Sequence, residues 1–178
     1  MPTPHDWTDG HVARWQPVLP DLDPDIEGAA TRAMLLTYHL RTVKQRSLVD
    51  HGLHKHEYDT LHTLAGRGGS AVPSELAADL KMAPASITGR LDALERRGFV
   101  RRTPSAADRR RVDVQLTAAG REAWLGAMEV QGREEIRLLG VLTPRERRTL
   151  SDLLRKVMLA AEAGPEGQEK PAKGGADG

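Results

Sequence analysis

Between positions 72 and 116 the chain carries two short helical patterns and then two strand-like segments around an arginine-rich loop. The first pattern is Pro73-Ser74-Glu75-Leu76-Ala77-Ala78-Asp79-Leu80, and the second covers 85–97. Gly98 ends the second, Phe99-Val100-Arg101-Arg102 leads away, and the polar loop 103–111 precedes Val112-Asp113-Val114-Gln115-Leu116. Helix, turn, helix and an arginine-tipped hairpin are the outline of a winged helix-turn-helix. The expected fold class is therefore mostly α with a small β-hairpin wing. Such a unit seats its second helix in a major groove and its loop on the adjacent backbone or minor groove.

Charge agrees with that outline through its distribution rather than its total. The formal net charge is only +1. Yet Arg90, Arg96, Arg97, Arg101, Arg102, Arg109, Arg110 and Arg111 face only Asp92, Glu95 and Asp108 within one stretch. Before residue 30 the balance reverses, with Asp6, Asp9, Asp21, Asp23, Asp25 and Glu27 against Arg14. Two opposite fields imply one basic working face. With no cysteine in the chain, thiol redox sensing, thiolate zinc sites, disulfides and cysteine nucleophiles are excluded. No apolar run approaches a membrane span and no signal pattern opens the chain, so the expected compartment is the cytoplasm.

Proline and glycine punctuate the remainder. Residues 1–8 are expected to be a flexible N-terminus. Residues 9–52 read as N-terminal helices for ligand binding and dimerisation: a short helix over 9–16, a proline-broken stretch, then a long helix opened by Asp23 and Pro24. That helix carries Ile26, Ala30, Ala33, Thr37, Leu40 and Val43 as one stripe and stops near His51-Gly52. Residues 53–116 form the DNA-binding lobe, starting with a helix over 53–64 closed by Gly66, Gly68 and Gly69. Residues 117–163 are C-terminal dimerisation helices, one capped by Thr117 and one opened by Thr143-Pro144-Arg145-Glu146. The tail, 164–178, is expected to be disordered. The terminal helices have apolar stripes and no sheet to cover, which points to a homodimer. A dimer also matches a palindromic site, with two reading helices about one turn apart.

On a helical wheel Ile87, Leu91 and Leu94 face inward, leaving Ala85, Thr88, Gly89, Asp92 and Arg96 on the opposite side. Small residues let the backbone approach a groove floor, while Ser86 and Thr88 can bond base edges or phosphates. At the hairpin tip Arg109, Arg110 and Arg111 suit a narrow minor groove, and Asp108 can clamp a neighbouring guanidinium and shape the loop. The candidate DNA contacts are thus Ser86, Thr88, Gly89, Arg96, Asp108, Arg109, Arg110 and Arg111. Arg90 borders the buried stripe instead. A half-buried guanidinium there needs a carboxylate, for which Asp59 is the candidate, and an anionic planar ligand would compete for it. Trp15 offers a flat wall with one N–H donor.

Leu76-Ala77-Ala78, Ile87-Thr88, the run from Leu91-Asp92-Ala93-Leu94-Glu95-Arg96-Arg97-Gly98-Phe99-Val100 to Arg101-Arg102, Asp108-Arg109-Arg110 and Leu116-Thr117-Ala118-Ala119-Gly120-Arg121 resemble the MarR family of bacterial transcriptional regulators. Gly52-Leu53 and Glu57-Tyr58-Asp59-Thr60-Leu61 fit as well, and the resemblance spans residues 28 to 160. It implies a homodimer that represses genes until a small molecule binds. The urate-responsive branch is the most similar. It implies a ligand set of Trp15, Asp59, Arg90 and Arg102, with urate or a related purine anion as effector. Gly89 departs from the family, many of whose members place a DNA-contacting arginine there.

Two other readings share the fold. Zinc-sensing members of the family direct attention to His51, His54, His56 and His62, although His54 and His56 point to different faces of a helix and no thiolate assists. A ligand-independent DNA-binding protein would have no use for Trp15 and Arg90 as placed. Hydrolase elbows, phosphate-cradling loops and paired metal-ligand motifs are all missing, so neither enzymatic activity nor a cofactor is expected.

Overall fold

The computed structural model describes residues 4–104 and 112–164, so Asp108, Arg109, Arg110 and Arg111 lie outside the described residues. The chain divides into two compact units, Met1–Glu134 and Glu135–Gly178.

Helix α1 spans Trp7–Trp15 and begins earlier than its apolar pattern indicated. Asp6 is the reason: its side chain accepts from the Asp9 amide while the Asp9 carboxylate takes the Asp6 amide, a reciprocal cap. The break at Pro17 and Pro20 leads to α2, Pro24–Asp50, whose cap is Asp23 accepting from the amides of Asp25 and Ile26. Arg32 on α2 holds α1 by a fork to Asp6 at 2.8 and 2.9 Å and a further bond to Asp9 at 2.6 Å. Gly52 turns the chain in the left-handed region at φ +60°, as a residue following a helix end often does.

The DNA-binding lobe follows as α3 (Lys55–Gly66), β1 (Ser70–Ala71), α4 (Pro73–Asp79), α5 (Pro84–Arg96), β2 (Val100–Pro104) and β3 (Val112–Leu116). The three strands form one antiparallel sheet in the order β1-β3-β2. The two residues of β1 went unseen in the sequence because so short a segment has no alternation to read. They pair Ser70 with Gln115 and Ala71 with Val114. Leu61 and Leu64 of α3, Leu76 of α4, Ile87, Leu91 and Leu94 of α5, Val100 and Val114 are essentially inaccessible to solvent. One core therefore fixes α5 against the other helices and the sheet, and the inward stripe expected for α5 is the one observed.

Helix α6 runs over Ala118–Leu139 and places Ala127 in the core, where Ser47 donates to its carbonyl at 3.0 Å. Gly120 accounts for how closely α6 starts: a Cβ there would lie 2.1 Å from the Phe99 carbonyl oxygen. Helix α7, Pro144–Ala163, has the capping box read from Thr143 and Glu146. It buries no residue of its own, and Leu153, Leu154, Val157, Met158 and Leu159 are all exposed. Among the described residues no helix is long and apolar enough to cross a membrane.

Candidate nucleic-acid interface and adjoining recess

Pro84 at the first turn starts α5, and no side chain caps it. The Ser86 and Ile87 amides both reach the Ala83 carbonyl, and proline has no N–H, so the Ala85 amide is the donor left at this end. Ala85, Ser86, Thr88 and Gly89 are exposed together, opposite buried Ile87 and Leu91. Thr88 gives its hydroxyl proton to the Pro84 carbonyl at 3.2 Å, which leaves the oxygen free to accept. Nothing lies within 4 Å of a Cβ built on Gly89, so this stretch is a low, open ridge. In the turn before α5, exposed Lys81 adopts φ +52°, a conformation costly for a residue with a side chain.

The arginines read as one basic face divide into separate roles. Arg96 is exposed in the last turn of α5 and remains available to a phosphate. Arg102 does not: its Nη1 lies 2.6 Å from Asp92 and 2.8 Å from Glu95, and its amide donates to Glu95 at 2.9 Å. It braces the first wing strand on the recognition helix. Arg101 donates to its cross-strand partner Gln115 at 3.0 Å. Arg97 is also engaged internally, bonding Glu57 at 2.5 Å and the Gly52 carbonyl at 2.7 Å. Burial works against ionisation of Glu57, but Arg97 and the His54 amide outweigh it and hold its pKa below the ordinary value.

The ligand residues inferred from the sequence are not gathered as expected. Asp59 pairs with Lys55 at 2.6 Å and lies 4.0 Å from Lys44, so the expected Asp59–Arg90 pair is not formed. Two lysines one helix turn and one neighbouring helix away reach the carboxylate, and the sequence showed no sign of Lys44. Arg90, half-buried, donates instead to the His56 carbonyl at 3.5 Å and makes no ion pair among the described residues. Trp15 is 43% exposed, and its ring neighbour is His11, which bonds Glu27 of α2.

A recess of about 530 Å³ opens between the end of α2 and the start of α3. Leu48, Val49 and Leu53 line it together with Gln45 and the cations Arg41, Lys44 and Lys55. Lys44 also sits 4.4 Å above the Tyr58 ring. Of the histidines, His54 lines this recess and stacks on His56, while His51 bonds the Ser47 carbonyl and His62 accepts from the Trp124 indole. Among the described residues no three His, Asp or Glu side chains group as a metal site.

An exposed small-residue helix, anchored by its other face and followed by a braced antiparallel hairpin, defines a winged-helix DNA-binding regulator. The MarR family model matches residues 53–112. Beyond that segment, the HTH-type transcriptional regulator PecS of Dickeya dadantii (strain 3937) is 31% identical over 151 residues, covering 82% of this chain and 89% of PecS. The chain belongs to the MarR family of transcriptional regulators and is not an enzyme. Solved structures agree on the fold. YusO from Bacillus subtilis superposes with a TM-score of 0.65 at 23% identity, covering 76% of this chain and 95% of YusO. S. aureus MepR in complex with DNA gives 0.60 at 19% identity, covering 72% of this chain and 96% of MepR.

Proposed function

We propose that the protein is a homodimeric repressor that binds a palindromic operator and is released from it by a small anionic ring compound, such as urate or a related purine. The observation that carries the ligand half is the recess between α2 and α3. Its volume of about 530 Å³ is within the usual range for small-molecule sites, which combine an apolar lining with a few polar groups. Arg41, Lys44 and Lys55 supply positive charge, and Leu48, Val49 and Leu53 supply apolar surface. Asp59 now holds two of those cations, so an anion entering the recess competes with it directly. Arg90 on α5, half-buried and in no ion pair among the described residues, donates to the carbonyl of His56 and is a further cation for this reading. Trp15 and Arg102 enter this reading more distantly, as an exposed ring on α1 and as the brace that holds the wing to α5.

The DNA half rests on Ser86, Thr88, Gly89 and Arg96, and on Asp108, Arg109, Arg110 and Arg111 between β2 and β3 in sequence, with the MepR–DNA complex as the comparable arrangement in a protein of the same fold. Dimerisation is supported by apolar side chains left uncovered in the single chain. Met34, Leu35, Leu36 and Tyr38 on α2 are exposed, as separately is the apolar stripe of α7, and a second copy would cover them. No observation favours zinc as the effector over an organic anion.

The experiment is a titration of the dimer bound to DNA from its own upstream region, with urate and xanthine as probes. Release by either, accompanied by a raised melting temperature of the free protein, supports the reading. Asp59→Ala, Arg90→Ala and Trp15→Ala should each blunt the response. Arg110→Ala should weaken DNA binding and lower the salt slope by about one. A protein that binds no such fragment in a salt-sensitive way, or that sediments as a single subunit, refutes it.

A further inference from the structure

Arg97 occupies the end of α5, the helix that carries the exposed Ser86, Thr88 and Gly89, yet its guanidinium reaches back to the junction between α2 and α3. One nitrogen bonds Glu57 at 2.5 Å and another bonds the Gly52 carbonyl at 2.7 Å, while the planar group lies 4.5 Å over the Phe99 ring. Glu57 is only 3% exposed, and the same carboxylate oxygen that meets Arg97 accepts the His54 amide at 2.9 Å. A nearly buried carboxylate of this kind strongly resists losing the guanidinium that pairs with it.

The junction has two sides. Leu53, His54 and Lys55 line the recess. The Gly52 carbonyl and the Glu57 carboxylate, on either side of them in sequence, accept from the guanidinium, and the His54 amide donates to the same Glu57 oxygen. Gly52 sits at φ +60°, which restricts the shapes this turn can take. We infer that Arg97 is a positioning residue that transmits occupancy of the recess to the recognition helix, its fork linking the α2–α3 junction to the end of α5. This rests on the regulatory reading above for the recess being the effector site. Helix α5 is a 13-residue rod of about 20 Å. Displacement of the junction therefore moves one end of the rod while the core holds its middle, and the groove-facing end swings. Lysine cannot replace the fork, because a single ammonium does not hold a carboxylate and a carbonyl in one plane.

A double-mutant cycle tests this with no effector needed. Gln45→Trp places a bulky ring in the recess, and Arg97→Lys keeps the charge while removing the fork. Affinity for the upstream fragment is measured for the dimeric wild type, both single variants and the double. The expected result is a change of about fivefold or more from Gln45→Trp in the wild-type background and little change in the Arg97→Lys background. Glu57→Gln provides a second background if Arg97→Lys fails to fold. Amide exchange at Gly98 and Phe99, read without DNA, should respond to Gln45→Trp only where the fork is intact. Equal effects in both backgrounds, or no effect of Gln45→Trp on either readout, overturns the inference. Failure of the urate and xanthine titration with a positive cycle would reject the effector class and leave the coupling standing. Failure of DNA binding would reject the regulatory reading, with amide exchange still deciding the coupling.

Discussion

Gly120→Ala sets helix propensity against packing with opposite signs. Propensity alone predicts a gain of up to about 1 kcal/mol, since alanine is the better helix former. The structure predicts a loss. A Cβ at this position would stand 2.1 Å from the Phe99 carbonyl oxygen, 2.9 Å from its carbon and 3.0 Å from Leu116 Cδ1, where ordinary contact begins at 3.4 Å. The nearest of these atoms are backbone, so no rotamer change relieves the overlap. Phe99 or the start of α6 must move by more than about 1 Å, which in a packed region costs roughly 1–3 kcal/mol. The same carbonyl accepts the Thr117 amide at 3.1 Å, and the Thr117 hydroxyl, which donates to the Gly98 carbonyl at 2.7 Å, accepts the Gly120 amide at 3.0 Å. Weakening these bonds adds about 1 kcal/mol apiece. Allowing for the propensity gain, the variant should be less stable by about 2–4 kcal/mol, read as a lower urea midpoint at unchanged slope. A midpoint equal to or above that of the wild type would refute the close-approach argument.

Gly89→Ala should do the reverse for stability, gaining about 0.5–1 kcal/mol because the position is open. It should at the same time weaken DNA binding if the helix backbone meets the groove at that point, a split that melting and binding assays read separately. Lys81→Gly should relieve the left-handed turn before α5 and raise stability by about 0.5–1 kcal/mol, with an unchanged melting temperature counting against strain. The Arg32 hydrogen bonds, with lesser help from backbone amides, pull Asp6 down to about 2 from 3.8. Because this folded-state pKa is lowered, the contribution of Asp6 to docking α1 is complete above the ordinary aspartate value and disappears as pH falls through about 2. Emission from Trp7 and Trp15 on α1 should follow that loss at low pH in the wild type and lose it in Asp6→Asn.

Helix starts were legible wherever chemistry and geometry are local. Asp23-Pro24 and Thr143-Pro144-Arg145-Glu146 cap where they were read, and the Ile87, Leu91 and Leu94 stripe is buried as its period requires. The candidate site was legible only in part. Ser86, Thr88 and Gly89 are exposed on one face because helical spacing places them there. Arg97 and Arg102 looked no different from Arg96 in a list of charges, yet both turn inward, because Glu57 and Glu95 sit within their reach across the fold. The signal that could have found the first was Glu57 itself, three residues after the capping position His54 and followed by an apolar stripe.

Local spacing and residue type were enough to specify a winged helix-turn-helix with helical arms, since caps, turns and periodicity act over one or two turns of chain. Partner choice among charged groups belongs to the tertiary structure alone. Asp59 lies with Lys44 and Lys55, and not with Arg90, because the approach of α2 to α3 brings one ammonium within 4.0 Å and the preceding turn of α3 supplies the other at 2.6 Å. Coulomb attraction falls with distance through space and is indifferent to separation along the chain.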